Sequence, residues 1–299
     1  MSVSVVICTY NRAQLLKRTL HSLTLQTVGP EQFEIIIVDD GSVDETPEVC
    51  RQLRQDLPRM KYISNGVNLG LSSSRNRGIK SAEGEFILFT DDDCTADNDW
   101  IERMSAALER EPVVAGAVAS PESNYVGLCH NIAEFHPFMP GRKPGKVEFI
   151  AGANMGFRRS VLDELGGFDE KVKMAEDMQF ILRARSKGYR IYHACDAVVT
   201  HKHDRASLGS VFRYSAKHAS ATILVRNEYQ TLLRTPFVLR SSFLTIMAAP
   251  AIALKVTLGI YRHNQRLVRV FWTAPLVYAL KLAWCWGAAC GLAATKRAK

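Results

Sequence analysis

Four apolar runs of strand length, VSVVICT (3–9), FEIIIVD (33–39), MKYIS (60–64) and FILFT (86–90), alternate with stretches whose apolar residues recur at helical spacing. Leu15, Leu16, Leu20 and Leu23 are the clearest such set. Strands alternating with helices at this length pair in parallel through right-handed crossovers, which predicts an α/β chain with helices flanking a mostly parallel sheet. Ligands of such sheets gather at the carboxyl ends of the strands. Three polar clusters fall at those ends: Thr9-Tyr10-Asn11, Asp39-Asp40-Gly41-Ser42 and Asp91-Asp92-Asp93. Turn chemistry accounts for each cluster alone, because Asp and Asn bond their own backbone. It does not account for their common position, and three adjacent carboxylates repel one another unless a cation sits among them.

Further along, WIERMSAALER (100–110) predicts a helix and VVAGAVAS (113–120) an apolar strand. The next segment reads as loop-rich, with Pro137, Pro140, Gly141, Pro144 and Gly145. FIAGANMGF (149–157) predicts a strand, MAEDMQFILRARSKG (174–188) a helix stopped by Gly188, and RIYHACDAVVTHKH (190–203) a closing strand.

A hydrophobic content of 47% with 23% charged residues describes a globular chain long enough for one large α/β domain or two smaller ones. Seven scattered cysteines with no C-x-x-C pair argue against a disulfide framework or a zinc site and for a reducing compartment. The opening residues lack a basic segment and read as a first strand rather than a leader, so a cytoplasmic location is expected. The net charge of +8 hides an asymmetry: residues 204–299 hold 14 Lys/Arg against 2 Asp/Glu, and the remainder is net acidic. A basic tail can bind nucleic acid, but this one is also strongly apolar, so no nucleic-acid partner is expected.

Two literal motif matches compete for the aspartates. DDDCT fits the D-x-D-x-T that opens haloacid-dehalogenase-like phosphatases, with Asp91 as nucleophile. There the motif sits on the first strand, whereas here three strand–helix units precede it. Asp91, Asp93 and Glu102 also take the first, third and twelfth places of a calcium loop, but the sixth place is Ala96 where that loop requires Gly. No G-x-G-x-x-G follows the first strand, so a dinucleotide-dependent dehydrogenase has no support.

Six blocks, in order, resemble the family 2 glycosyltransferases of the GT-A fold: VVICTYNR, IIVDDGSVDET, NLGLSSSRNRGI, FTDDDC, GANMGFRRSVLDELGGFDE and AEDMQFILRARSKG. The resemblance covers residues 3 to about 220. It implies a Rossmann-like sheet and an inverting, metal-dependent transfer of sugar from a nucleotide to a hydroxyl acceptor. By the same resemblance, Thr9, Tyr10, Asn11, Arg12, Asp40, Arg75, Asp91 and Asp92 serve the nucleotide, with Asp40 accepting from a uracil imide. Asp93, Asp91 and His201 would hold Mn²⁺ or Mg²⁺, with His203 a weaker candidate. Glu176 and Asp177 form the acceptor-side acid pair with Asp177 the general base, and Gly152 and Asn154 shape the acceptor pocket. The expected division is 1–115 for the nucleotide-sugar half, 116–220 for the acceptor half and 221–299 for a helical, membrane-associating extension. A UDP-sugar is the preferred donor. The Q-x-x-R-W of processive synthases is replaced by FRYSAKH (212–218), which points to single additions. A non-catalytic sugar-nucleotide-binding scaffold is the non-enzyme alternative.

Residues 236–260 and 270–294 are long enough to cross a bilayer but carry Lys255 and Lys281 mid-length. A two-span hairpin would put Arg262, Arg266 and Arg269 on the outside, against the positive-inside tendency. In-plane helices with snorkelling lysines at the cytoplasmic face of the membrane fit better, and suggest a lipid-linked saccharide or polysaccharide precursor as acceptor. A soluble helical subdomain or a homo-oligomer interface is the other reading.

Overall fold

The computed structural model describes residues 2–121, 124–202 and 207–297. In chain order the elements run β1 (Val3–Thr9), α1 (Ala13–Thr24), β2 (Phe33–Asp39), α2 (Thr46–Leu53), β3 (Met60–Ser64), α3 (Leu71–Ser81), β4 (Phe86–Asp91), β5 (Cys94–Ala96), α4 (Trp100–Leu108) and β6 (Val113–Ala119). They continue with α5 (Tyr125–Phe135), β7 (Gly145–Val147), β8 (Asn154–Arg158), α6 (Arg159–Leu165), α7 (Glu176–Ser186) and β9 (Ile191–His201). Last come α8 (Leu208–Glu228), α9 (Ser242–His263), α10 (Gln265–Val268) and α11 (Ala274–Arg297). Two compact units form: residues 1–119 with 142–202, and residues 120–141 with 203–299.

Among the described residues, the nine strands form one sheet in the first unit, ordered β3-β2-β1-β4-β8-β6-β9-β5, with β7 paired to β9. β3, β2, β1 and β4 are parallel, as the alternation predicts. β1, β2 and β4 are buried almost throughout, which is why they read as near-continuous apolar runs. β8 is the departure, antiparallel to both β4 and β6. Its amino end therefore lies at the carboxyl end of β4, with Thr90 opposite Asn154. β6 and β9 run parallel again, so His201 closes β9 at that same edge, where β5 pairs Cys94 with His201. In the core Phe89 and Phe180 each pack against Phe157 and Phe168.

The second unit is helical. The segment expected to be loop-rich contains α5, whose Asn124 caps the helix by accepting from Gly127 N–H at 2.7 Å. α8 and α11 approach through small residues: a Cβ on Gly287 would lie 2.0 Å from the Ala216 carbonyl oxygen, and one on Gly291 2.6 Å from that of Ser220. Lys281 on α11 does not snorkel, against expectation. Its ammonium is buried and donates to the Ala133 carbonyl at 2.5 Å, in the last turns of α5, where a cation suits the helix dipole. Burial alone would raise Glu134, but the bond from His218 (3.1 Å) and the charges of Lys281, His218 and His130 hold it down to about 2. Lys255 on α9 is exposed, as are Phe243 (70%), Met247 (66%), Leu254 and Leu258, spaced to form one apolar stripe along that helix.

Candidate active site

Strand register builds the site. Thr9 lies opposite Asp39, and Cys8 opposite Asp91, so the polar residues that end β1, β2 and β4 become neighbours. The loops after β1 and β2 then bond to each other. Asn11, with a left-handed backbone (φ 53°), donates its N–H to Ser42 Oγ and accepts from Val43 N–H, both at 2.8 Å. Asp44 accepts from Ala13 N–H at 2.9 Å and so caps α1 from the neighbouring loop. Tyr10 between them is exposed.

Asp40 is buried and accepts three hydrogen bonds, from the Asn65 amide (2.8 Å), Leu69 N–H (2.9 Å) and Gly70 N–H (2.9 Å). It fixes the segment after β3, and Gly41 (φ 86°) lets that segment approach: a Cβ there would lie 2.7 Å from the Val67 backbone. Asn65 was not singled out from the sequence. Its amide also donates to Ser74 Oγ at 2.9 Å, tying β3's exit to α3. The Asn-Gly step after MKYIS was its signal.

Asp92 and Asp93 share Arg12, and Asp91 faces Arg75. Asp92, buried, accepts from Thr9 Oγ1 at 2.8 Å and Arg12 Nη1 at 3.0 Å. Asp93, also buried, has Arg12 Nη1 3.2 Å from Oδ2 and His201 Nε2 3.3 Å from Oδ1. Asp91, its side chain 34% exposed, has Arg75 Nη2 3.5 Å away. Burial pushes Asp92 up to about 6 against the pull of Arg12, and partial desolvation with the Asp93 charge raises Asp91 against that of Arg75. Two guanidinium groups thus already relieve much of the repulsion that the sequence presents.

Arg75 lies deeper than a nucleotide contact requires. It is buried in α3 and donates to Glu176 Oε1 at 2.5 Å and to the Gly152 carbonyl at 3.4 Å, with its guanidinium 5.3 Å from the centre of the Phe168 ring. Glu176 is buried against it. Asp177, partly exposed at the start of α7, accepts from Gly152 N–H at 2.9 Å and from Met178 N–H at 2.7 Å. A Cβ on Gly152 would lie 2.9 Å from Asp177 Oδ2 and 3.0 Å from Arg75 Nη2, so only glycine fits there without displacing both. Ala175, just before the pair, holds a left-handed backbone (φ 65°), a strained conformation for a residue with a Cβ.

Asn154 is in the core rather than on a pocket wall. It accepts from Trp100 Nε1 at 2.9 Å and donates to the carbonyls of Ala117 (2.8 Å) and Ala197 (2.9 Å), so an acceptor finds no free group on it. His203 lies outside the described residues.

A divalent ion suits this donor set. Asp93, His201 and Cys94 place ligand atoms within 4.8 Å of one another, and the 3.3 Å between Asp93 Oδ1 and His201 Nε2 resembles the ~3 Å that two adjacent ligands span on an ion with ~2.1 Å bonds. Burial and the Asp93 and Asp91 charges push the Cys94 thiol far up, so it stays protonated and the donors are carboxylate oxygen and imidazole nitrogen.

Acidic clusters at parallel strand ends beside an acid pair at a helix start fit a GT-A fold. Residues 4–166, more than half of the chain, match the glycosyl transferase family 2 domain, and residues 86–293 match glycosyl transferase family group 2. The chain belongs to glycosyl transferase family 2 and is a glycosyltransferase that uses a nucleotide-sugar donor. The phosphatase and scaffold alternatives are therefore set aside. Among its relatives, YwdF of Bacillus subtilis, an uncharacterized glycosyltransferase, is 31% identical over 79% of this chain and 91% of its own. The glycosyltransferase AglE of Haloferax volcanii is 27% identical over 67% of this chain and 66% of its own. Among solved structures, the Pyrobaculum calidifontis mannosyltransferase PcManGT in complex with GDP-Man and Mn²⁺ shares the fold at a TM-score of 0.62 and 20% identity, over 99% of this chain and 75% of that one.

Proposed function

We propose that the chain is a metal-dependent, inverting transferase that moves a glycosyl group from a UDP-sugar to a hydroxyl acceptor, one addition at a time. The observation that carries this reading is the gathering of Asp91–Asp93 and His201 at one sheet edge, with Arg75 linking Asp91 to the Glu176–Gly152 side where Asp177 sits. Asp93 and His201, with Asp91, would hold Mn²⁺ or Mg²⁺; when bound, the ion offsets charge on the departing diphosphate. Thr9, Tyr10, Asn11 and Asp40 line the nucleoside side. Asp40 accepts three N–H groups and, with about four acceptor positions on a carboxylate, keeps one for an imide N–H. The bond from the anomeric carbon to the diphosphate oxygen breaks as the acceptor oxygen forms its own bond on the opposite face. The hydroxyl proton passes to Asp177, whose Oδ2 is fixed by Gly152 N–H. Structures that share the fold contain UDP and UDP-GlcNAc in TarS of S. aureus and GDP-Man in PcManGT, so the uracil preference rests on Asp40.

Thermal melting tests the donor half. UDP with Mn²⁺ is expected to raise the melting temperature beyond either alone, a ligand at 100 times its Kd being worth about 2.7 kcal/mol. GDP giving the larger shift would overturn the uracil assignment, and no shift with any nucleotide would overturn the reading.

A place at the cytoplasmic membrane surface is part of the same proposal. The exposed stripe of α9, the exposed Phe271 and Trp272, and Arg262, Arg266 and Arg269 beside them combine apolar anchors with cations that suit an anionic surface. A Haloferax volcanii relative, 29% identical, bears the name glucosyl-dolichyl phosphate glucuronosyltransferase, which supports a lipid-linked acceptor. The protein is expected to float with vesicles containing phosphatidylglycerol, and Phe243→Glu with Leu254→Glu to abolish flotation while leaving nucleotide binding intact. Equal flotation of the double variant would remove α9 from the contact.

A further inference from the structure

Arg12 stands where helix physics disfavours it. It is the residue that precedes α1, a position that favours Ser, Thr, Asp or Asn, and a cation there opposes the helix dipole. Its side chain caps nothing, and Asp44 reaches in from another loop to bond Ala13 N–H instead. The guanidinium is directed to the acids: a single nitrogen, Nη1, lies 3.0 Å from Asp92 Oδ1 and 3.2 Å from Asp93 Oδ2. A residue that costs its own helix and serves a distant pair of carboxylates belongs to the site.

The two arginines of the site differ in freedom. Arg75 is locked, its side chain 4% exposed and held by Glu176, Gly152 and the Phe168 ring. Arg12 covers the buried carboxylates from the solvent side, its side chain 41% exposed, and its guanidinium donates to both of them. It occupies Oδ2 of Asp93 while His201 stands at Oδ1. A divalent ion on these carboxylates meets that guanidinium as a competitor. A diphosphate offers it a partner of equal or better kind, since guanidinium forks match phosphate oxygens.

We propose that Arg12 is a displaceable internal counter-ion: it neutralises Asp92 and Asp93 in the free protein, moves to the diphosphate when nucleotide binds, and thereby makes metal binding conditional on nucleotide. This rests on the reading of the edge as a metal–nucleotide site and adds an order of binding to it. The coupling is reciprocal, so nucleotide tightens metal by the factor by which metal tightens nucleotide.

The test is titration of Mn²⁺ followed by loss of the free-ion electron paramagnetic resonance signal, on the full chain and on Arg12→Gln, each with and without UDP. Without nucleotide, R12Q is expected to bind Mn²⁺ about tenfold more tightly than the natural protein, within the range common for coupled sites. With UDP the advantage disappears, and the enhancement that UDP gives to Mn²⁺ shrinks in the variant. Arg12→Lys, which keeps a charge but not the fork, is expected to retain weak metal binding without nucleotide. Arg12→Met replaces R12Q if the latter fails to fold. Equal or weaker Mn²⁺ binding by the uncharged variant without UDP overturns the proposal. Absence of Mn²⁺ binding in every protein, with UDP or GDP present, overturns the metal–nucleotide reading itself and the proposal with it.

Discussion

Asp177→Asn is expected to slow glycosyl transfer by about 10²–10⁴-fold, the usual contribution of a positioned general base, without changing the melting shift that UDP and Mn²⁺ produce. The amide keeps the shape of the carboxylate and can still accept from Gly152 N–H, so that loop stays in place, while the bond from Met178 N–H to the other oxygen is given up. What it loses is the capacity to take a proton. Product formation under saturating donor, measured beside nucleotide-dependent melting, separates the two effects. Full activity in the variant would move the base to another residue, and loss of nucleotide binding would give Asp177 a donor-side role.

The second large effect concerns stability. Arg75→Met removes the guanidinium that faces Glu176, Asp91 and the Gly152 carbonyl, and leaves Glu176 buried without its cation. Breaking a buried pair in this way costs about 3–5 kcal/mol, more than a typical single substitution. Urea unfolding is expected to show that loss. The double variant Arg75→Met with Glu176→Leu is expected to recover part of it, because the stranded charge is then gone. If the double variant is as unstable as the sum of the singles, the ion pair is not the source of the cost.

The parallel half of the sheet and its three acidic or polar strand ends were legible because β1, β2 and β4 are buried on both faces and leave unbroken apolar runs. The depth of Arg75 was not legible. The buried face of α3 is made of Ser72, Ser74, Arg75, Gly78 and Ile79, so its sequence shows hardly any apolar period. A Cβ on Gly78 would lie 2.3 Å from Val6 Cγ1, which shows how closely that polar helix sits on β1. α5 was hidden for a related reason: Gly127 through Ala133 are all buried, His130 and Asn131 included, so no polar face alternates with an apolar one. Asn154 was misplaced because a polar residue two positions after a glycine, at the start of a strand, looks like pocket lining, while its use as a three-way bridge among Trp100, Ala117 and Ala197 depends on strands that meet only in the folded sheet. Lys281 looked like a surface lysine on an apolar helix, and its partner, a carbonyl of α5, is 148 residues away.

The order in which the sheet closes has a kinetic consequence. The bonds that define the candidate site span large stretches of chain, 83 residues from Thr9 to Asp92 and 101 from Arg75 to Glu176, and His201 reaches Asp93 only after β9 has paired with β5 and β6. Contacts of such separation form late and slowly, because loop closure must be met before they stabilise anything. During synthesis the chain can complete β1 to β4 while the carboxylates of Asp92 and Asp93 still lack their histidine. Nucleotide-dependent metal capture would then appear only when the last strand has closed the sheet, which makes it a reporter of finished folding.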